Sequence, residues 1–345
     1  MPAAVPSGIA RSKSFGIASG TLGILDDLAL ESLPADLARV EARLLVAVGD
    51  EDRFLGEVAA HLIKAGGKRL RPVMTLSAAY AAKGAAPAHV DAITGAACVE
   101  LVQVGSLYHD DVIDEAETRR GVPSVNARWS NIVAILSGDF LLAQASVLAA
   151  SLGAEIAGLI GTTIGELCRG QILELQYLFN AERSIETYTS SIEGKTASLI
   201  ATAARVGGIV SGVTSTTLDA LTTFGHHVGM CFQLVDDILD LTADAATLGK
   251  PSGNDLFEGV YTLPIIVAAQ ANTELRDLLG RKLDWPDVER ARTLVIASNG
   301  INETLVAARS HAAQATSALR EASDLDGAVR QQLVQLVDSL ITRAF

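Results

Sequence analysis

From about residue 35 onward, apolar residues recur every three or four positions. The pattern holds across windows 90–115, 131–150, 155–178, 189–210 and 217–242. Few prolines interrupt these windows, so each predicts a helix. Breaks fall at Lys83-Gly84-Ala85-Ala86-Pro87, at Arg120-Gly121-Val122-Pro123, and from Leu248 to Gly259, where Gly, Pro, Ser and Asn collect. There is no alternating strand pattern bounded by hairpin turns, no Gly-rich strand-to-helix turn of the dinucleotide type and no repeat period. The segment 1–34 carries Arg11 and Lys13 among Ser, Gly and Ala. It lacks the compact apolar block of a signal peptide and reads as a disordered tail. No low-complexity linker divides the rest, so 35–345 is expected to be one all-α domain. The Ala-rich, amphipathic region after Asn299 reads as peripheral helices.

Composition agrees with helices. The chain has 345 residues, 49% hydrophobic but only 4% aromatic, and Ala is abundant. A formal net charge of −13 argues against a general nucleic-acid binder or a polybasic membrane-surface protein. An anionic substrate then requires locally concentrated cations. Cys98, Cys168 and Cys231 stand far apart without a CxxC pair, which fits a reducing cytoplasm and buried free thiols. Asp139 and Arg205 interrupt the two most hydrophobic regions, so no membrane span is expected.

Two acidic clusters follow apolar helical stretches: Asp110-Asp111-Val112-Ile113-Asp114 and Asp236-Asp237-Ile238-Leu239-Asp240. In each, the first and last aspartates are four apart and share a helix face. Like charges at that spacing destabilise a helix unless a cation sits between them. Carboxylates without a lysine in register are the hard ligands that magnesium prefers. One such cluster is equally a solvated helix end; two copies point to a metal-bridged polyanion. Cations appear at Gly66-Gly67-Lys68-Arg69-Leu70-Arg71-Pro72, where the glycines allow close backbone approach and Lys68 and Arg71 suit phosphate oxygens. Arg119-Arg120, Lys195-Thr196 and Lys250 are further candidates.

These motifs resemble the trans-isoprenyl (polyprenyl) diphosphate synthases of long-chain type. GGKRLRP, DDVIDEAETRRG, GQILE, GKT, FQLVDDILD and GKPSGNDL occur in that family's order between about residues 60 and 270. The resemblance implies a single-domain helical bundle with a central cavity, working as a homodimer. It implies that isopentenyl diphosphate is condensed with an allylic diphosphate held by three Mg2+ ions. Asp110, Asp111, Asp114, Asp236, Asp237 and Asp240 are then metal ligands or their supports. Arg119, Lys195, Thr196, Gln233 and Lys250 match residues around the allylic diphosphate, and Lys68, Arg71, Gln103 and Arg120 match those for isopentenyl diphosphate. Phe232, Gln171 and Glu174 also fall at family positions around the reacting carbons. His109 reads as a support or solvent-facing residue. The chain departs from the family at Val260, where many relatives carry a lysine.

Counting back from Asp110 places Ser106, Val102 and Val99 on one helix face, with Gly105 alongside. Ser106 would lie roughly 6 Å below the metal site at about 1.5 Å rise per residue. Short-chain relatives tend to carry aromatics at positions 105 and 106. Small residues there predict an open tunnel and a product longer than farnesyl diphosphate, or alternatively close helix packing. Other readings are a geranylgeranyl diphosphate synthase, a class I terpene cyclase and a non-catalytic synthase subunit. The GGKRLRP run and the complete aspartate set disfavour the last two.

Overall fold

The computed structural model describes residues 30–83, 87–243, 251–322 and 325–342. Lys250 and most of the expected tail lie outside the described residues. In chain order the helices are α1 (Leu33–Ala47), α2 (Arg53–Ala59), α3 (His61–Lys64), α4 (Leu70–Lys83), α5 (Val90–Ile113), α6 (Val125–Arg128), α7 (Asn131–Ser151), α8 (Ala154–Gln176) and α9 (Ile185–Ile192). A π-helical turn, Glu193–Ala197, leads into α10 (Ser198–Ser211). Then come α11 (Ser215–Thr242), α12 (Asn254–Glu258), α13 (Leu263–Ala271), α14 (Thr273–Leu278), α15 (Trp285–Ile296), α16 (Gly300–Glu321) and α17 (Gly327–Thr342). The five predicted windows coincide with α5, α7, α8, α9–α10 and α11.

Local signals fix where these helices begin and end. Ser130, Ser184 and Thr214 each accept a backbone N–H in the first turn of α7, α9 and α11. Gly212, in the left-handed region, ends α10. α5 lies at the centre of the bundle, flanked by α4, α7 and α10, while α11 packs between α10 and α16. Both acidic clusters therefore ride on central helices.

Three expectations change. One short hairpin exists: β1 (Thr118–Arg119) pairs antiparallel with β2 (Val122–Pro123). Its turn residues Arg120 and Gly121 have φ of 55° and 75°, both in the left-handed region, as a two-residue primed turn requires. The region after Asn299 is not peripheral. α16 lies along α11 and buries Ala308, Ala315 and Leu319, and the small alanines let the two helices approach closely. Finally, α5 and α7 are each long and apolar enough to cross a membrane, since the single charge Asp139 does not offset its apolar surroundings. They pack against each other instead, and 72% of the apolar window of α5 is buried. Cys98 and Cys231 are buried, whereas Cys168 is exposed on α8.

Candidate active site

The C-terminal end of α5, the last two turns of α11, the hairpin and α12 surround a polar cavity of about 490 Å³. Asp110 and Asp114 line it from the first cluster and Asp237 from the second. Four further carboxylates join them: Glu117, Glu174, Asp255 and Glu258. Among the described residues, two cations, Arg119 and Lys195, face the same space. Burial raises the Asp110 and Asp237 pKa values. It drives Asp114 to about 7, with Glu258 and Asp110 adding repulsion. Hard oxygen donors crowded in this way suit a divalent cation. Among the described residues, no three His, Cys, Asp or Glu side chains form a ready metal site by themselves. A cation there would complete its shell with water and ligand oxygens, as magnesium commonly does.

The two cations are held by carboxylates, each in a different way. Arg119, displayed by β1, donates Nε to Asp111 Oδ1 at 2.7 Å. Asp111 is fully buried beneath the hairpin. Lys195 sits on the π turn and donates to Glu174 Oε1 at 2.5 Å, and this pairing raises its pKa against the opposing effect of burial. The π turn exists in a tight place. A Cβ on Gly170 would lie 2.4 Å from Lys195 N, and one on Gly194 would lie 2.8 Å from Glu166 O. Only glycines let α8 and the turn touch, which places Lys195 at the cavity and Thr196 against Gln233.

A hydrogen-bond chain then fixes Asp237. Thr196 Oγ1 donates to Gln233 Oε1 at 2.8 Å, and Gln233 Nε2 donates to Asp237 Oδ1 at 2.8 Å. From the other side, the Tyr188 hydroxyl donates to Asp237 Oδ2. Asp240 points elsewhere: its Oδ2 accepts the Asp255 N–H at 3.2 Å and so anchors the start of α12.

Residues 52–295 match the family model described as Polyprenyl synthetase. The chain belongs to the polyprenyl synthetase family. It is 38% identical to the nonaprenyl diphosphate synthase of Mycobacterium tuberculosis, over 96% of this chain and 99% of that one. It is 43% identical to heptaprenyl diphosphate synthase component 2 of Geobacillus stearothermophilus, over 68% of this chain and 73% of that one. In structure it resembles a polyprenyl synthase from Caulobacter crescentus complexed with calcium and isoprenyl diphosphate. That likeness has a TM-score of 0.85 and 32% identity, and covers 96% of this chain and 100% of that one.

The remaining candidate residues of this polyprenyl synthetase fall into two groups. At the start of α4, Arg71 is half-buried and within electrostatic reach of Asp236, Glu100 and Arg120. Lys68 is exposed nearby in sequence, and Gln103 is half-buried on α5. Arg120 is turned into the protein: Nη1 donates to the carbonyls of Leu62, at 2.8 Å, and of Gly66. Its guanidinium lies where a Gly67 Cβ would be, 2.7 Å from Cζ. Arg120 thus shapes the glycine loop, and its Nη2 lies 3.6 Å from Glu100 Oε1. Asp111 Oδ1 is engaged by Arg119 and Asp240 Oδ2 by the start of α12, the supporting arrangement of the two roles expected for them. Asp236 is half-buried on the Arg71 side and is not part of the cavity wall.

The chain-length residues also separate. Gly105 faces α7, where a Cβ would lie 3.1 Å from Gly138 O and 3.2 Å from Leu142. It permits close helix packing, the alternative raised for it above. Val102 is fully buried, and the half-buried Ser106 donates its hydroxyl to the Gln103 carbonyl of its own helix at 2.9 Å. His109 packs over Gly138, with Nε2 3.2 Å from Ile135 O, and so clamps α5 to α7. Tyr188, Asp255 and Glu258 were missed as site residues. No metal-type spacing marks them, and they reach the cavity only through the packing of α9 and α12.

Proposed function

We propose that this prenyltransferase condenses isopentenyl diphosphate with an allylic diphosphate to build a medium- or long-chain all-trans polyprenyl diphosphate. The observation that carries this is one polar cavity joining Asp110 and Asp114 to Asp237, with Arg119 and Lys195 on its rim. In this reading Asp110, Asp114 and Asp237 hold divalent cations, with Asp236 a further donor. The calcium and isoprenyl diphosphate named with the Caulobacter structure support divalent metal use here. Magnesium, at three ions per site, is the finer proposal; when bound it neutralises charge on the leaving diphosphate. Arg119 and Lys195, with Lys68 and Arg71, grip the two diphosphates. The allylic C–O bond breaks and its electron pair leaves with the diphosphate, whose growing charge Arg119 and Lys195 stabilise. The isopentenyl double bond attacks the cation, and the proton then lost goes to the departing diphosphate. Cytoplasmic working belongs to the same reading.

Supplying the purified chain with Mg2+, isopentenyl diphosphate and farnesyl or geranylgeranyl diphosphate tests it, with products sized by reversed-phase chromatography. Extension beyond geranylgeranyl length is expected, as for the nonaprenyl and heptaprenyl relatives. A halt at that length supports a geranylgeranyl diphosphate synthase. A cyclic hydrocarbon supports a terpene cyclase, and no turnover supports a non-catalytic subunit. A homodimer is proposed from the exposed apolar residues Ile132, Ile135, Leu136 and Val147 on α7 and Ile172 on α8. Gly158 and Gly161 add bare backbone on α8 with nothing within 4 Å of a built Cβ. Light scattering on the eluting peak would give twice the chain mass. A stable monomer would favour a dissimilar subunit, as the word "component" suggests for the Geobacillus relative.

A further inference from the structure

Two further side chains, Tyr188 and Arg183, stand around Asp237. Tyr188, on α9, is 1% exposed and gives its hydroxyl to Asp237 Oδ2. Arg183, in the loop entering α9, is 3% exposed, and its guanidinium carbon lies 5.6 Å from the centre of the Tyr188 ring. Its Nη1 donates to the Tyr261 carbonyl at 3.1 Å, while Nε and Nη2 are buried and meet no acceptor. A buried guanidinium with two idle donors is costly unless the surrounding field is negative. That field is present: Glu174, then Tyr188 and Asp237, act on Arg183 against the burial that lowers its pKa. The guanidinium keeps its charge all the same.

Asp237 is clamped on both oxygens, Oδ1 by Gln233 and Oδ2 by Tyr188. An ionised carboxylate offers about four lone-pair sites, so roughly two remain for the cavity, and the clamp decides which. Thr196 orients Gln233 from one side. Tyr188 is its counterpart on the other, and the face of its ring rests on Arg183.

Resting on the function proposed above, we propose that Tyr188 is a positioning residue that aims Asp237 at a divalent cation. Arg183 backs it as the counter-charge of Glu174 and Asp237 when no cation is bound. Partners of metal ligands behave in this way, and their loss weakens metal binding on the order of 10- to 100-fold.

The test uses the full chain, with Mn2+ as the probe. Binding is read by calorimetry or by the paramagnetic signal of free Mn2+, in the presence of inorganic diphosphate. Tyr188→Phe removes one oxygen and should weaken Mn2+ binding by about tenfold or more, with KM for isopentenyl diphosphate unchanged. Arg183→Met should enlarge the rise in Tm produced by Mn2+, because the cation then supplies the missing counter-charge. Arg183→Lys should restore the wild-type response. Superimposable Mn2+ isotherms for a folded Tyr188→Phe and wild type overturn the positioning role. A Mn2+ gain in Tm no larger in Arg183→Met overturns the counter-charge role. Should Arg183→Met not fold, the uncharged but polar Arg183→Gln takes its place, with the same Mn2+ gain in Tm read against wild type. A wild-type chain that binds Mn2+ yet condenses nothing refutes the function and leaves this inference standing. Identical isotherms in an active enzyme refute the inference alone.

Discussion

The two acidic clusters share the pattern Asp-Asp-x-x-Asp, yet the fold uses their members differently. In the first, the outer aspartates Asp110 and Asp114 line the cavity, and the middle one, Asp111, is buried beneath Arg119. In the second, the middle aspartate, Asp237, lines the cavity, while Asp236 lies toward Arg71 and Asp240 is buried beneath α12. The cause is position on the helix. The first cluster ends α5, with Asp114 as its C-cap, so its outer pair projects from the mouth. The second lies in the last two turns of α11, which is covered on its flanks by α10, α16 and the π turn, and of its aspartates Asp237 lines the cavity. An identical motif therefore does not mean an identical placement of its aspartates around the cavity.

Removing a carboxylate from the wall should have the largest effect. Asp114→Ala or Asp237→Ala should lower kcat by at least about 10²-fold, the scale for deleting one preorganised electrostatic group. Steady-state rates at saturating Mg2+ check this; full activity in either variant would remove that aspartate from the metal set. The buried members should cost less and differ from each other, about 10- to 100-fold. Asp111→Asn frees Arg119 and should raise KM for the allylic diphosphate. Asp240→Asn loosens α12 and should leave that KM unchanged while raising the Mg2+ concentration needed. Equal signatures in the two variants would break the contrast between the clusters.

Much of this was legible in the chain. The windows placed α5 and α11 to within two residues at each end, because apolar spacing there is strong and caps such as Thr214 are short-range signals. The clusters and the basic run were also legible, since metal and phosphate chemistry restricts residue type. What stayed hidden depends on direction rather than type. That Arg120 turns inward follows from a left-handed φ in the hairpin and from the bare α-carbon of Gly67. That Gly105 is a helix contact follows from where α7 crosses, which α5 does not encode. Tyr188 and Arg183 join the site through the packing of α9.

The supports of the two clusters also differ in tightness. Gly170, behind Lys195, has no room: an added Cβ would meet backbone at 2.4 Å, which cannot be relieved by rotating a side chain. Gly170→Ala should destabilise the fold by about 1–3 kcal/mol, the usual cost of overpacking, and raise KM for the allylic diphosphate by displacing Lys195. Gly105→Ala meets Gly138 O at 3.1 Å and Leu142, whose side chain can shift, so a smaller loss is expected. Urea midpoints compare the two; a greater loss at Gly105 would reverse the ranking.

The smallest effect concerns how each cluster helix is pinned. The first is clamped by His109 over Gly138; the second by His227, whose Nδ1 lies 2.9 Å from His311 Nδ1 on α16. Burial, then His226 and His311, push His227 down to about 4, and burial with His226 lowers His311 too. One imidazole must donate and the other accept, so the contact suits neutral rings. A depressed folded pKa means that the unfolded chain takes up protons first as pH falls. The contact therefore supports the fold fully above the ordinary histidine value of 6.5 and loses that support as pH drops toward about 4. His227→Asn keeps a polar atom near Nδ1 but does not titrate. Its Tm should fall less than that of the wild type across this interval, while the two should run parallel above it. Parallel curves throughout would show that the His227–His311 contact does not make the fold pH-dependent.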